Sequence, residues 1–126
     1  MTLKFTVPGP FVSGNHAKTR DGRRTAKARE FDEKVRMLCA EAARKQGWTP
    51  PDYVEVWLTA TNVGIDADNL AKEVLDPLQG IAFPFDSRIL RLTVVRFRNE
   101  LSPRVFVWVS PVDGKQYGFP KPRKKA

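Results

Sequence analysis

The sequence predicts an α+β domain with one mixed β-sheet and two main helices, in the order β-α-β-α-β-β. Four short segments are predicted as strands, and the first two alternate apolar and polar residues, which is typical of strands that bury one face. Two further segments repeat apolar residues at helical spacing, which is typical of helices packed on a core. A chain of 126 residues with 41% hydrophobic residues suits one domain with one core.

The first strand and the first helix are separated by a long polar segment. Apolar and polar residues alternate over residues 2–7, and Pro8-Gly9-Pro10 ends this strand. Residues 11–24 form a loop, and loops this long in small domains are usually functional or disordered. The first helix extends from an N-capping Thr25 to Gln46. Its apolar stripe consists of Phe31, Val35, Leu38 and Ala42.

The second half predicts a strand, a shorter helix and two further strands. The strand covers residues 52–61, and the helix covers about 68–78, with Pro77 expected to distort or shorten its end. Strands at about 88–98 and 104–112 follow, joined by a short turn, and we expect them to form an antiparallel hairpin. Both helices are expected on one face of the sheet.

Charge indicates the class of partner. Lysine and arginine number 22 against 14 acids, which gives a net charge of +8, and such a chain attracts polyanions. One basic cluster precedes the first helix, and a second occupies the end of the chain. The first comprises Lys18, Arg20, Arg23, Arg24, Lys27 and Arg29, and the second Lys115, Lys121, Arg123, Lys124 and Lys125. We therefore divide the chain into a domain at 1–112 and a basic, flexible tail at 113–126.

Several functional classes are disfavoured by composition. No apolar run is long enough for a membrane span, and no secretory signal is predicted, so we expect a cytoplasmic protein. The single cysteine, Cys39, is expected to be buried as a small apolar residue. The single histidine, His16, cannot form a metal cluster, and no phosphate-binding GxxxxGK[ST] loop is present.

The segment Asp66-Ala67-Asp68-Asn69-Leu70-Ala71-Lys72 concentrates acids in this basic chain, and Asp86 follows downstream. Magnesium prefers oxygen ligands, commonly one or two carboxylates together with substrate phosphates. Lys72 lies one helical turn after Asp68, so it would lie beside a phosphate held there. Asn69 could orient a carboxylate or a water molecule.

The same residues have a simpler interpretation. Asp-x-Asp-Asn before a helix is an ordinary capping sequence, and Asp68 with Lys72 is an ordinary i,i+4 ion pair. A calcium EF-hand is excluded because Leu70 and Ala71 stand where that loop needs an oxygen ligand and glycine. Tryptophans at positions 48, 57 and 108 could stack nucleobases, although tryptophan is more often a core residue.

The chain resembles the RusA family of Holliday-junction resolvases over about residues 2–109. The motifs that carry the resemblance are Asp66-x-Asp68-Asn69-Leu70-x-Lys72, Val74-Leu75-Asp76-x-Leu78, Gly80-Ile81 and Asp86-Ser87-x-Ile89, with a looser match at Pro8-Gly9-Pro10, Ser13 and Asn15. The resemblance implies a homodimeric, Mg²⁺-dependent endodeoxyribonuclease, of a kind common in phages, that acts in DNA recombination and repair.

The resemblance also implies residue roles. Asp66, Asp68 and Asp86 would be the metal ligands and Lys72 an essential catalytic residue. We expect paired symmetric cleavage of four-way junctions. From the charge of the first basic cluster together with the polar residues of the motifs, we expect the DNA-binding residues to be Asn15, Lys18, Arg20, Arg23, Arg24, Lys27 and Asn69. The alternative is a noncatalytic basic protein that binds nucleic acid through the same surface.

Overall fold

The computed structural model describes residues 1–11, 19–20 and 22–122. Its elements are β1 (Leu3–Pro8), α1 (Ala26–Gln46), β2 (Val54–Thr61), α2 (Ala67–Leu75), β3 (Ile89–Phe97) and β4 (Arg104–Pro111). Single 3₁₀ turns cover Asp76–Leu78, Asp86–Arg88 and Gly114–Tyr117. The predicted α+β class and the β-α-β-α-β-β order are confirmed.

The four strands form one mixed sheet in the order β1-β4-β2-β3. β2 and β3 are parallel, whereas β4 runs antiparallel to both β1 and β2. The predicted hairpin between the last two strands is therefore wrong. β3 pairs with β2, and β4 enters the sheet on the far side of β2.

The connection between β3 and β4 is long enough for the chain to cross β2. Six residues, 98–103, span two strand spacings of about 4.8 Å each, which an extended chain covers easily. The side chain of Asn62, which directly follows β2, forms hydrogen bonds with this connection. Its amide nitrogen donates to the carbonyl oxygens of Asn99 at 2.7 Å and Leu101 at 2.5 Å, and its Oδ1 accepts from the Asn99 N–H at 2.9 Å.

The core lies between the sheet and the two helices. Alternate strand residues such as Leu3, Val56 and Val107 are fully buried on this inner face. From α1, the predicted stripe residues Phe31, Val35 and Ala42 are buried, together with Ala28 and Cys39. The expected burial of Cys39 is thus confirmed, while Leu38 is half-buried.

The helix ends follow the sequence signals. The Thr25 hydroxyl accepts a hydrogen bond from the Ala28 N–H at 3.2 Å, and Gly47 ends α1 in the left-handed conformation, with φ of 65°. α2 ends at Leu75, where the chain tightens into the 3₁₀ turn that contains Pro77. α2 is consequently shorter than the predicted helix.

No helix of the described residues covers the outer face of the sheet, and this face is unusually aromatic. Trp57, Phe106 and Trp108 point away from the core and are 40%, 39% and 50% exposed. Trp57 and Trp108 are direct partners across the β2–β4 pair, and the Lys4 ammonium lies 4.7 Å from the centre of a Trp108 ring. An exposed sheet face is normally polar, so this face is a candidate interaction surface.

Part of the segment assigned to the tail packs on the domain. The Tyr53 hydroxyl donates to the Pro120 carbonyl at 2.7 Å, and the Tyr53 and Phe119 rings lie 5.8 Å apart. Asp113 caps the 3₁₀ turn by accepting from the Lys115 N–H at 3.0 Å. Residues 123–126 lie outside the described part of the chain.

Candidate active site

The first two acids of the motif lie at the start of α2, after the connection that leads from β2. Asp66 occupies the N-cap position of α2, and its backbone carbonyl accepts from the Leu70 N–H at 2.8 Å. Its side chain makes no capping hydrogen bond. Asp68 lies in the first turn and Lys72 one turn later, and all three side chains are exposed. The helix therefore presents two carboxylates and an ammonium to solvent.

The simpler interpretation of these residues does not account for the geometry. Asp66 caps by position alone, so its carboxylate oxygens are not used by the helix. Among the ion pairs of the described residues, none joins Asp68 to Lys72. Exposed charges that serve neither the cap nor a pair are available to a ligand.

Asp86 approaches the other end of α2. It opens the 3₁₀ turn before β3, and its backbone N–H donates to Gln79 Oε1 at 3.1 Å. Its charge acts on Asp76, the residue that follows α2. Asp86 therefore lies beside the C-terminal end of the helix, while Asp66 lies at the N-terminal end.

Asp76 is a further acidic residue next to the motif, and no role was predicted for it from the sequence. Burial raises the pKa of its carboxyl, the positive charge of Lys72 opposes this shift, and the negative charges of Glu73 and Asp86 add to it. Its position four residues after Lys72 was the available signal, because that spacing continues the line from Asp68 along the helix.

The carboxylates suit a hard divalent cation in chemistry, but the described residues do not gather them around one point. No three His, Cys, Asp or Glu side chains in the described ranges are arranged to hold a metal ion. Asp66 and Asp68 lie at the start of α2, whereas Asp86 lies beside its C-terminal end. The ligand set Asp66, Asp68 and Asp86 stays a prediction.

Arg24 joins both helices behind the site. Its guanidinium donates to Asp32 on α1 at 2.7 Å and to Glu73 on α2 at 3.1 Å. Burial lowers the pKa of Arg24, but the hydrogen bonds and charges of Glu73 and Asp32 outweigh it and raise the pKa overall. Glu73 is only 7% exposed, so Arg24 is the counter-charge of a buried carboxylate.

The predicted DNA-binding residues are dispersed. Arg20, Arg23 and Lys27 are exposed at and before the start of α1, and Asn69 is half-buried on α2. Arg24 is committed to the ion pairs just described. Asn15 and Lys18, like Ser13 and His16, lie outside the described residues.

Comparison with protein families identifies the family to which the chain belongs. The family model described as endodeoxyribonuclease RusA matches residues 8–110, which include β2, α2 and both ends of the acidic motif. The chain belongs to the RusA endodeoxyribonuclease family. RusA enzymes are crossover-junction resolvases that hydrolyse phosphodiester bonds and bind branched DNA.

RusA nucleases in general depend on a metal. A comparison with curated proteins gave no match. No described helix of this RusA-family chain is both long and apolar enough to cross a membrane. The match begins at Pro8 and ends at Ser110, so it covers β2, β3 and all of β4 but its last residue, whereas only the last residue of β1 falls within it.

Proposed function

We propose that this RusA-family protein is a Mg²⁺-dependent, structure-selective endodeoxyribonuclease that resolves Holliday junctions by paired symmetric cleavage. The observation that supports this most directly is the state of α2. Asp66, Asp68 and Lys72 are exposed at α2, and among the described contacts neither carboxylate forms a side-chain cap or an ion pair. Such a helix end is prepared to receive a cation and a phosphate.

Asp66, Asp68 and Asp86 are the proposed ligands, since carboxylate oxygens are what Mg²⁺ prefers. An ion held by these carboxylates would lower the pKa of a coordinated water molecule and neutralise charge on the phosphate. The charges of both Lys72 and Asp86 influence the pKa of the Asp76 carboxyl. Its carboxylate adds to the negative potential that attracts a cation to this side of α2.

Lys72 is proposed to act on the phosphate. Its ammonium lies one turn from Asp68, on the exposed side of α2. An ammonium group at this position would stabilise the negative charge that develops on the phosphate oxygens during cleavage. Positioning of Lys72 depends on α2 itself, which Arg24 ties to α1 through Glu73.

Binding of the junction arms is proposed to use the exposed cations before α1. Arg20, Arg23 and Lys27 face solvent there, and the adjoining Asn15 and Lys18 belong to the same predicted surface. Contacts of lysine and arginine with phosphate make affinity fall steeply with salt. For Arg24 we propose an indirect role, because its guanidinium already pairs with Asp32 and Glu73.

A homodimer is proposed because paired cleavage needs two sites, and the outer sheet face suits a second copy of this chain. Trp57, Phe106 and Trp108 are exposed there, on the side opposite the helices and the acidic motif. DNA held at α2 would not reach this face. An exposed aromatic cluster on one face of a sheet is the kind of surface that a partner covers.

The decisive experiment is incubation with an end-labelled four-way junction, with Mg²⁺ or with EDTA. We expect Mg²⁺-dependent nicks at matching positions on opposed strands, and little cleavage of linear duplex of the same sequence. Asp68→Asn should abolish the nicks while junction binding persists, because a ligand and one negative charge are removed. Asp52→Asn, a change of the same kind at another exposed aspartate, should cleave like the wild type.

Two outcomes would overturn the proposal. Full cleavage by Asp68→Asn would remove the metal assignment. Salt-sensitive junction binding without nicks in any divalent cation would favour the alternative, a noncatalytic basic protein.

A further inference from the structure

We propose that Arg96 and Arg98 form a phosphate subsite that holds one strand of a junction arm beside the acidic motif. This inference rests on the proposed function and extends it to a surface outside both basic clusters of the sequence. The subsite lies at the edge of the sheet where the parallel strands β2 and β3 end. Ligands of α/β units commonly bind outside the carboxyl ends of parallel strands.

A cavity of about 450 Å³ occupies this edge. Its lining consists of Asn62, Val63, Gly64, Arg96, Phe97 and Arg98. Three of these residues belong to the connection that leads from β2 into Asp66. Gly64 precedes Asp66 by two residues, so their Cα atoms are at most about 7 Å apart. Successive phosphates of one strand rise by about 3.4 Å, so a strand cut at the motif passes the cavity within a few nucleotides.

The register of the sheet places Arg96 on the catalytic side. Arg96 is the lateral partner of Ala60, which is buried on the inner face against the helices. The two therefore point to the same side of the sheet as α2. Arg96 Nη2 donates to the Val63 carbonyl at 3.2 Å, which orients the guanidinium over the connection to Asp66. Its remaining N–H groups are available for an anion.

The charge of the cavity is uncompensated. Its lining contains two arginines and no acid, and in the described part of the chain neither arginine forms an ion pair. Two guanidinium groups that share a concave, solvent-open site favour phosphate, because each presents paired donors that match its oxygens. Gly64 leaves the approach open, since a Cβ built there would meet nothing within 4 Å.

The floor of the cavity is held in place before any ligand arrives. Asn62 adopts a left-handed conformation, with φ of 56°, and its N–H donates to the Phe97 carbonyl at 2.9 Å. Its side chain also bonds the β3–β4 connection through Asn99 and Leu101. A preorganised anion site loses little conformational entropy on binding. Phe97 is 53% exposed at the rim, where a ring can stack on a base.

The test measures junction affinity in Ca²⁺ or EDTA, so that binding is read without cleavage, for Arg98→Ala, Arg96→Ala and the control Arg44→Ala. Arg44 is an exposed arginine in the last turn of α1, near Gln46, which bonds the backbone of Lys4 at the opposite end of the sheet. The control therefore removes the same charge at a distance from the cavity.

We expect each cavity variant to weaken junction binding about 5- to 10-fold at 0.1 M salt and to lower the slope of log K against log salt by about 1. Arg44→Ala should change the affinity less than about 2-fold. Single-turnover cleavage at saturating protein should stay within about 3-fold of the wild type, because the subsite binds rather than reacts. Arg98→Lys should recover part of the affinity.

Arg98→Ala is the decisive variant. Among the described contacts the Arg98 side chain makes no hydrogen bond, so its replacement should leave the fold intact, whereas Arg96 also donates to the Val63 carbonyl. An affinity and salt slope equal to those of Arg44→Ala would overturn the subsite. That result is distinct from a failure of the proposed function, which would appear as absent Mg²⁺-dependent nicking by the wild type.

Discussion

The Arg24 guanidinium donates a hydrogen bond of 3.1 Å to the Glu73 carboxylate, across 49 residues of sequence. The same group reaches Asp32 at 2.7 Å, so one side chain joins α1 to the helix that carries Asp68 and Lys72. Glu73 is almost fully buried, and a buried carboxylate without its partner is costly. The orientation of α2 therefore depends on a residue that the sequence groups with the DNA-binding cations.

Replacement of Arg24 is expected to destabilise the fold. Arg24→Ala should lower the free energy of unfolding by about 2 kcal/mol, less than for a fully buried pair because the Arg24 side chain is 30% exposed. Arg24→Ala/Glu73→Gln should recover part of the loss, because the stranded charge is gone. Urea denaturation measures both. A single variant within about 0.5 kcal/mol of the wild type would contradict the role.

Lys72→Ala is expected to separate cleavage from binding. Loss of a charge aimed at a developing oxyanion commonly costs about 10²–10³ in rate. Single-turnover cleavage should fall by about that factor while junction affinity changes less than about 3-fold. Lys45→Ala, which removes an exposed lysine paired with Glu41 at 2.8 Å, is the control. Equal losses of rate and affinity in Lys72→Ala would recast Lys72 as a phosphate clamp.

Asp76→Asn is expected to stabilise the fold at neutral pH. Burial raises the pKa of the folded-state carboxyl above its unfolded value, so the stability that protonated Asp76 contributes is lost as pH rises through the folded pKa. Removing the charge should therefore raise the free energy of unfolding at pH 7, by under about 1 kcal/mol at this exposed site. At pH 4 the gain should shrink. Urea curves at both pH values test this, and an equal gain at each would refute the electrostatic cause.

Cys39 is expected to be unreactive in the native protein. The side chain is fully buried, and burial raises the pKa of its thiol to about 12. The thiolate is the reactive form, so a disulfide reagent at pH 8 should label no thiol in buffer and one per chain in urea. Rapid labelling without denaturant would show that α1 opens readily from the sheet.

The proposed dimer face is testable with one charge. Trp108→Glu should dissociate the dimer in sedimentation equilibrium, because Trp108 is half-exposed at the centre of the aromatic face. Junctions should then be nicked on single strands instead of in pairs. Tyr117→Glu alters another exposed aromatic residue, outside the sheet, and should remain dimeric. A wild-type monomer at micromolar concentration would overturn the interface.

Local signals in the sequence predicted most of the fold. α1 begins after Thr25 and ends before Gly47, because capping residues act within a few residues of a helix end. Pro77 shortens α2 through an equally local effect on the backbone. The acidic motif is also recognisable, since Asp66 and Asp68 are only two positions apart in the sequence. Family resemblance then selected branched DNA.

Non-local pairing explains what the sequence did not reveal. The order of strands depends on which edges meet, and neighbours in sequence such as β3 and β4 need not pair. Two further interactions join residues that only the folded chain brings together. They are the hydrogen bond from Arg24 to Glu73 and the electrostatic interaction of Asp86 with Asp76. Charge composition alone assigned Arg24 to DNA.

The pairing of β1 with β4 determines when the enzyme can form. Leu3 pairs with Val109, so the first strand waits in the emerging chain until nearly all of the domain has been synthesised. Contacts at such sequence separation close late and slowly. A ribosome that stalls before β4 releases a chain that lacks the strand between β1 and β2, and α1 then has no complete sheet to pack on. Truncated translation products should therefore be proteolysed without ever cutting DNA.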